Sequence, residues 1–346
     1  MARHLCCSIA ALIALGAVPA SAAALKATPD TLWSVVKGAH PGDVVLMAPG
    51  AYPPVTLNAM VFAAAGITLR PANAAHPPVL ASLTLNGSQG IRLNGLEIDY
   101  TGTAFGLTIA GSSRIHAEGL NIHSKPGTYG GNGLLFRNAS DVSIVNSEVH
   151  DLGTGISHID NTGVLISGNI VHAIESDGIR GGGSSNLEIS RNLLYDFRAK
   201  AGDHPDAIQL WGTKTNPRPG PIRITDNVVV RAPGQPPQSQ GIFGGGAHDL
   251  TVSGNLLLGT MYNGIGIADV QTATIHHNFV QGFKDMWSGI NVRDADGIAI
   301  HDNFASSVNL GNPQPTHVSQ ARNGTLPLAN IVDPRQLDRW SAARRK

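Results

Sequence analysis

From Leu83 to Leu310 the chain is a succession of short runs in which apolar and polar residues alternate, the two-residue period of half-buried strands. Many runs end on asparagine: Asn169 (LISGN), Asn192 (EISRN), Asn227 (RITDN), Asn255 (TVSGN), Asn278 (TIHHN) and Asn303 (AIHDN), at successive spacings of 23, 35, 28, 23 and 25 residues. A second series opens other runs, nearly always after glycine: Leu107, Leu134, Ile156, Ile179, Ile208, Ile242, Ile265 and Ile290. Two series locked in phase, with length varying only between them, predict stacked coils of three short strands and three turns. The expected fold is therefore an all-β, single-stranded parallel β-helix of about ten coils over residues 43–310. Identical residues would stack between coils, and the asparagines would bond amide to amide. A leucine-rich repeat needs denser leucines, and a propeller needs a period nearer 40.

The ends carry different patterns. Arg3 and His4 precede an apolar run from Leu5 to Val18, closed by Ala20-Ser21-Ala22, so residues 1–22 are expected to be a cleavable signal peptide. The protein is then expected to be periplasmic or secreted. Both cysteines, Cys6 and Cys7, fall inside that segment, which leaves the mature chain without a disulfide. Within residues 23–42, the stretch TLWSVVKGA puts Leu32, Val35 and Val36 on one helical face behind Asp30 as N-cap, a short helix suited to cover the first coil. Residues 311–346 form a polar tail in which Pro334 could open a short capping helix with Leu337 and Trp340.

Composition narrows the function. Charged residues are 14%, glycines number 41, and the net charge is zero, so no global basic field recruits nucleic acid or a membrane surface. An acidic polysaccharide or oligosaccharide remains a suitable partner if basic residues cluster locally. A monomer is expected.

The segment after the helix, PGDVVLMAPGAYPPVTL, together with the repeats and the element HPDAIQL at residues 204–210, resembles secreted right-handed parallel β-helix proteins that act on polysaccharides. The likeness is to the pectate-lyase-like group, and within it to alginate and chondroitin lyases and mannuronan C5-epimerases. It covers most of the mature chain. It implies a right-handed coil and a uronic-acid-containing substrate cleaved by β-elimination, or epimerised at C5.

Length variation places the chemistry. Insertions at residues 123–132, 195–206, 232–240 and 282–288 all precede the Gly-Ile strands and should wall a groove along that face, and residues 213–221 leave the same face. Tyr129, Trp211, Tyr262 and Trp287 stand at these edges and suit the apolar faces of sugar rings. The densest polar cluster is residues 198–206. β-Elimination needs a cation to neutralise the uronate, a base for the C5 proton, and an acid for the leaving oxygen. Arg180 and Arg198 are the candidate carboxylate holders. Lys200 or His204 would be the base, imidazole having the advantage of titrating near neutrality. Asp203 or Asp206 would orient that base. Asp177, Asp203 and Asp206 could instead hold Ca²⁺. Gln209 would face the same groove. Asp177 and Asp206 open neighbouring strands and should lie close together.

Hydrolysis requires paired carboxylates. Here the comparison is with polygalacturonases: SDGI at 176–179 is similar to their NTDG element, but Pro205 and Gln240 stand where a second aspartate and a histidine belong, and no RIK-like run follows. A non-catalytic carbohydrate-binding β-helix is the remaining alternative, since such repeats also build adhesins. His276 and His277 are adjacent in a strand-like run, which should point them to opposite faces and prevent joint chelation.

Overall fold

The computed structural model describes residues 22–231 and 234–330. The expected signal peptide, apart from Ala22, and the helix expected from Pro334 lie outside the described residues.

The strand runs stack into three parallel sheets of 13, 12 and 11 strands, wound as a right-handed β-helix of about twelve turns rather than ten. One coil illustrates the path: Ile179–Gly182 in the 11-stranded sheet, Ser185–Ser190 in the 13-stranded sheet, Leu193–Phe197 in the 12-stranded sheet, then Asp206–Trp211 back in the first. The solenoid is also longer than residues 43–310. Ala24–Ala27 already pairs in register with Val44–Met47, and Thr316–Ala321 extends the same sheet beyond Asp296–His301. The helix is Leu32–Gly38, with Thr31 rather than Asp30 at its N-cap position and no side-chain cap bond. Its Leu32 and Val36 are buried in the same core as Val45 and Met47, so it closes the apolar end of the coil.

Each strand sends alternate residues inward, and in-register stacking turns them into columns. Leu134, Ile156, Ile179, Ile208, Ile242, Ile265 and Ile290 pair in succession and are all fully buried. Each such side chain contributes about 1.5–3 kcal/mol of burial free energy.

The asparagines form the second column. The residue before each one (Gly168, Arg191, Asp226, Gly254, His277 and Asp302) has positive φ, which turns the chain out of the 13-stranded sheet and swings the asparagine inward. Each amide nitrogen then donates to the next amide oxygen at 2.9–3.0 Å, from Asn169 through Asn192, Asn227, Asn255, Asn278 and Asn303 to Asn323. Asn323 is a seventh member that the sequence pattern did not flag.

The glycine triplet at residues 181–183 has a packing reason. Gly181 points inward, where an added Cβ would overlap His158, a buried core histidine that burial pushes down to about 3 and so keeps neutral. Gly182 points outward and makes room for the Trp211 indole. Neither this triplet nor the one at residues 244–246 opens a helix, so neither is a phosphate loop.

Candidate active site

The outer face of the 11-stranded sheet is where the long insertions enter, and two strands on it begin with the same pattern. In Asp177-Gly178-Ile179-Arg180 and Asp206-Ala207-Ile208-Gln209, the isoleucine fills the core. The residue after it faces out, and the aspartate sits where the loop meets the strand. Arg180 and Gln209 are register partners on adjacent strands, which stand roughly 4.8 Å apart. Each is anchored from behind by the aspartate three residues earlier. Arg180 Nη1 donates to Asp177 Oδ2 at 3.3 Å, and Gln209 Nε2 donates to Asp206 Oδ2 at 2.7 Å. The backbone N–H of Asp206 donates to Asp177 Oδ1 at 2.9 Å, tying the two units together. The expected neighbourhood of Asp177 and Asp206 is thus present.

Burial separates the two layers. Asp177 is 7% and Asp206 3% exposed, whereas Arg180 and Gln209 reach the surface. Burial, and then the charge of Asp177, raise the Asp206 carboxyl to about 7, against a smaller opposing effect of the Gln209 bond. Its Oδ1 is buried with no partner, while Oδ2 takes the Gln209 bond. A proton on Oδ1 would remove the charge without disturbing that bond.

This has a consequence for stability. The carboxyl of Asp206 releases its proton near 3.8 in the unfolded chain and near 7 in the folded one, so the folded state binds the extra proton between those values. Stability from this group is present below about pH 4 and lost as pH rises through 7, by up to about 4 kcal/mol. Asp206→Asn, neutral throughout, is expected to unfold at higher denaturant than the native protein at pH 8 and at nearly the same denaturant at pH 4. Chemical unfolding at the two pH values measures this, and a pH-independent difference would refute the assignment.

The loop residues are distributed differently from their sequence grouping. Lys200 does not face Arg180: its Nζ pairs with Glu175 Oε2 at 2.7 Å, and its side chain is 72% exposed. Arg198 donates to Asp196 Oδ2 at 2.8 Å, beside Tyr129, and Gln235 bonds the other oxygen of Asp196. These residues hold the loop wall together rather than the groove floor, because nearby carboxylates on the 12-stranded side compete for them. His204 is exposed and faces Gln240, whose Nε2 lies 3.4 Å from its Nδ1. Neither Asp203 nor Asp206 bonds its ring, since Asp203 Oδ1 accepts the His204 backbone N–H instead. The tautomer-fixing role expected of those carboxylates is therefore absent. Calcium fails a similar test. Asp177 is occupied by Arg180, Asp203 by its own loop, and among the described residues no group of three or more histidine, cysteine or acidic side chains could hold a metal ion.

Three of the four aromatics lie along this face, while Tyr129 stands beside Arg198 in the loop wall. Trp211 lies over Gly182, and Tyr262 and Trp287 form an exposed edge-to-face pair with centroids 5.8 Å apart. Phe243 was not singled out from sequence, yet it follows Gln209 in the same outward column and lies over Gly266. Its signal was its place, one residue after Ile242. The histidine pair also departs from expectation. His277 follows the end of the strand with φ of 56°, so it folds back and its Nδ1 lies 2.7 Å from His276 Nδ1.

Comparison with known proteins supports the architecture. Residues 81–203 match the family model described as right handed beta helix region. No curated protein matches the chain by sequence. Among solved structures, a mannuronic acid specific polysaccharide family 6 lyase enzyme from human gut microbiota aligns at 14% identity over 90% of this chain and 82% of that one, with a TM-score of 0.57. The surface adhesin PfbA of Streptococcus pneumoniae aligns at 12% identity over 87% and 86%, with a TM-score of 0.56. The mannuronan C-5 epimerase AlgE6 A-module of Azotobacter vinelandii aligns at 14% identity over 86% and 96%, with a TM-score of 0.52. At such identities these chains share the right-handed parallel β-helix fold.

Proposed function

We propose that the protein is an exported polysaccharide lyase, acting in the periplasm or outside the cell on a uronic-acid-containing chain laid along the 11-stranded sheet. The observation that carries this reading is the two-layer arrangement of donors and carboxylates. Arg180 and Gln209 present N–H donors side by side at the groove floor, the chemistry that receives a uronate carboxylate and the enolate charge that develops on it. His204 stands at the groove edge, where the lone pair of its Nδ1 meets the Gln240 amide N–H only in a long 3.4 Å contact that an incoming sugar can displace. It takes the C5 proton. The C5–H electrons become the C4=C5 double bond, the C4–O bond breaks, and the departing oxygen receives a proton from the imidazolium or from water. Returning the proton to the opposite face of C5 would instead make an epimerase.

The raised protonation of Asp206 beside charged Asp177 favours a second reading, acid–base hydrolysis. Their position weighs against it. Both carboxyls are buried, and each accepts a bond from Arg180 or Gln209 in place of facing the groove.

The test is absorbance at about 235 nm, where an unsaturated uronate absorbs, followed on alginate, pectate, glucuronan and glycosaminoglycans. A rise is expected on at least one polymer. New reducing ends without absorbance identify a hydrolase, changed composition without cleavage an epimerase, and binding without either a carbohydrate-binding protein like an adhesin.

A further inference from the structure

The outward column that contains Arg180 and Gln209 continues through Phe243, Gly266, Asn291 and Asn309. Beyond the Phe243 ring it opens into a depression of about 100 Å³, lined among others by Asn263, Asn291, Arg293 and Asn309. Two features of this depression suit a ligand. Arg293 is exposed and, among the described residues, has neither a hydrogen bond nor an ion pair. The amides beside it are fixed in one direction: Asn309 Nδ2 donates to Asn291 Oδ1 at 2.8 Å, Asn291 Nδ2 to Asn263 Oδ1 at 2.9 Å, and Asn263 Nδ2 to Gln240 Oε1 at 2.5 Å. Asn291 also donates to the Tyr262 carbonyl, which ties the track to the exposed Tyr262–Trp287 pair. Each amide oxygen can accept one bond more than it does, so the track offers preset acceptors to hydroxyl groups.

Resting on the lyase reading above, we propose that this depression is a distal subsite in which Arg293 binds a second carboxylate of the same polysaccharide chain. Three strand steps separate Gln209 from Asn291 and four separate Arg180 from it, roughly 14 and 19 Å at strand spacing. A pyranose unit in a chain is about as long as one step, so the sugar on Arg293 is the third or fourth beyond the one held between Arg180 and Gln209. A polymer of uronates alone puts a carboxylate at both places. A polymer in which uronates alternate with neutral or amino sugars puts one at the fourth place only. The subsite therefore favours a homopolymeric uronan, and a pentamer is long enough to fill both positions.

Titration calorimetry of a mannuronate trimer and pentamer, and of a chondroitin hexamer, against the native protein, Arg293→Ala and Arg293→Lys tests this. The pentamer is expected to bind the native protein more tightly than the chondroitin hexamer. Arg293→Ala should weaken the pentamer about tenfold or more, as loss of a charged hydrogen bond implies, with partial recovery in Arg293→Lys. The trimer, which engages one cation at a time, should change little. Equal weakening of trimer and pentamer, no weakening of either, or no binding of the pentamer by the native protein overturns the subsite. Arg293-dependent pentamer binding without 235 nm product would retain the subsite and reject the lyase. Product formation with unchanged pentamer binding in Arg293→Ala would do the reverse.

Discussion

His204→Ala is expected to lower turnover on the active polymer by about 10²–10⁴-fold, the loss typical of a general base. Arg180→Ala should lower it by about 10²–10³-fold, as removal of one donor to a developing oxyanion does. Lys200→Ala should stay near the native rate, because that side chain is spent on an exposed pair with Glu175 and exposed pairs contribute little. The three variants separate neatly by stability as well. His204 is exposed and makes only a long contact with Gln240, so its loss should leave the unfolding midpoint unchanged. Removing Arg180 uncovers Asp177 Oδ2 beside Asp206, so that variant should lose stability as pH rises. The measurement is initial rate at 235 nm with a parallel denaturant titration. A native-like rate for His204→Ala, or a collapse for Lys200→Ala, would move the base elsewhere on the loop.

Asn227→Ala should destabilise the fold by about 3–5 kcal/mol, more than the roughly 1–3 kcal/mol that one lost amide bond suggests. Asn227 is fully buried at mid-ladder. Its Nδ2 donates to the Ile189 carbonyl at 2.9 Å and to Asn255 Oδ1 at 3.0 Å, and its Oδ1 accepts from both the backbone and the side chain of Asn192. Alanine therefore strips one of the bonds accepted by the Ile189 carbonyl and orphans the Asn192 N–H and one Asn192 amide hydrogen, all buried. Asn255 Oδ1 keeps its bond from the Asn227 backbone, which limits the damage on that side. Asn323→Ala, at the partly exposed end of the ladder, should cost much less because water can replace what is lost. Equal effects at both positions in urea unfolding would mean that the ladder is not a cooperative stack.

What the sequence determined by itself was the repeating part of the molecule. Ile179, Ile208 and Asn227 recur because identical coils demand the same residue at the same place. A two-residue strand period and a coil-length repeat can both be counted along a chain. The pairing of Asp177 with Asp206 was legible for the same reason, since both open strands in the same column. The tertiary structure decided whatever depended on competition between partners that no spacing reveals. Lys200 and Arg198 went to Glu175 and Asp196, carboxylates supplied by the 12-stranded side of the coil. Asp206 lost its neighbour His204 and took Gln209, because a strand start holds its side chain inward while the loop tip remains outside. His276 and His277 converge because the turn before Asn278 needs a positive φ, which cancels the alternation of an extended strand. The depression at Arg293 was invisible in sequence because its walls come from strands far apart along the chain. Parallel stacking, about one strand per step, brings those strands together.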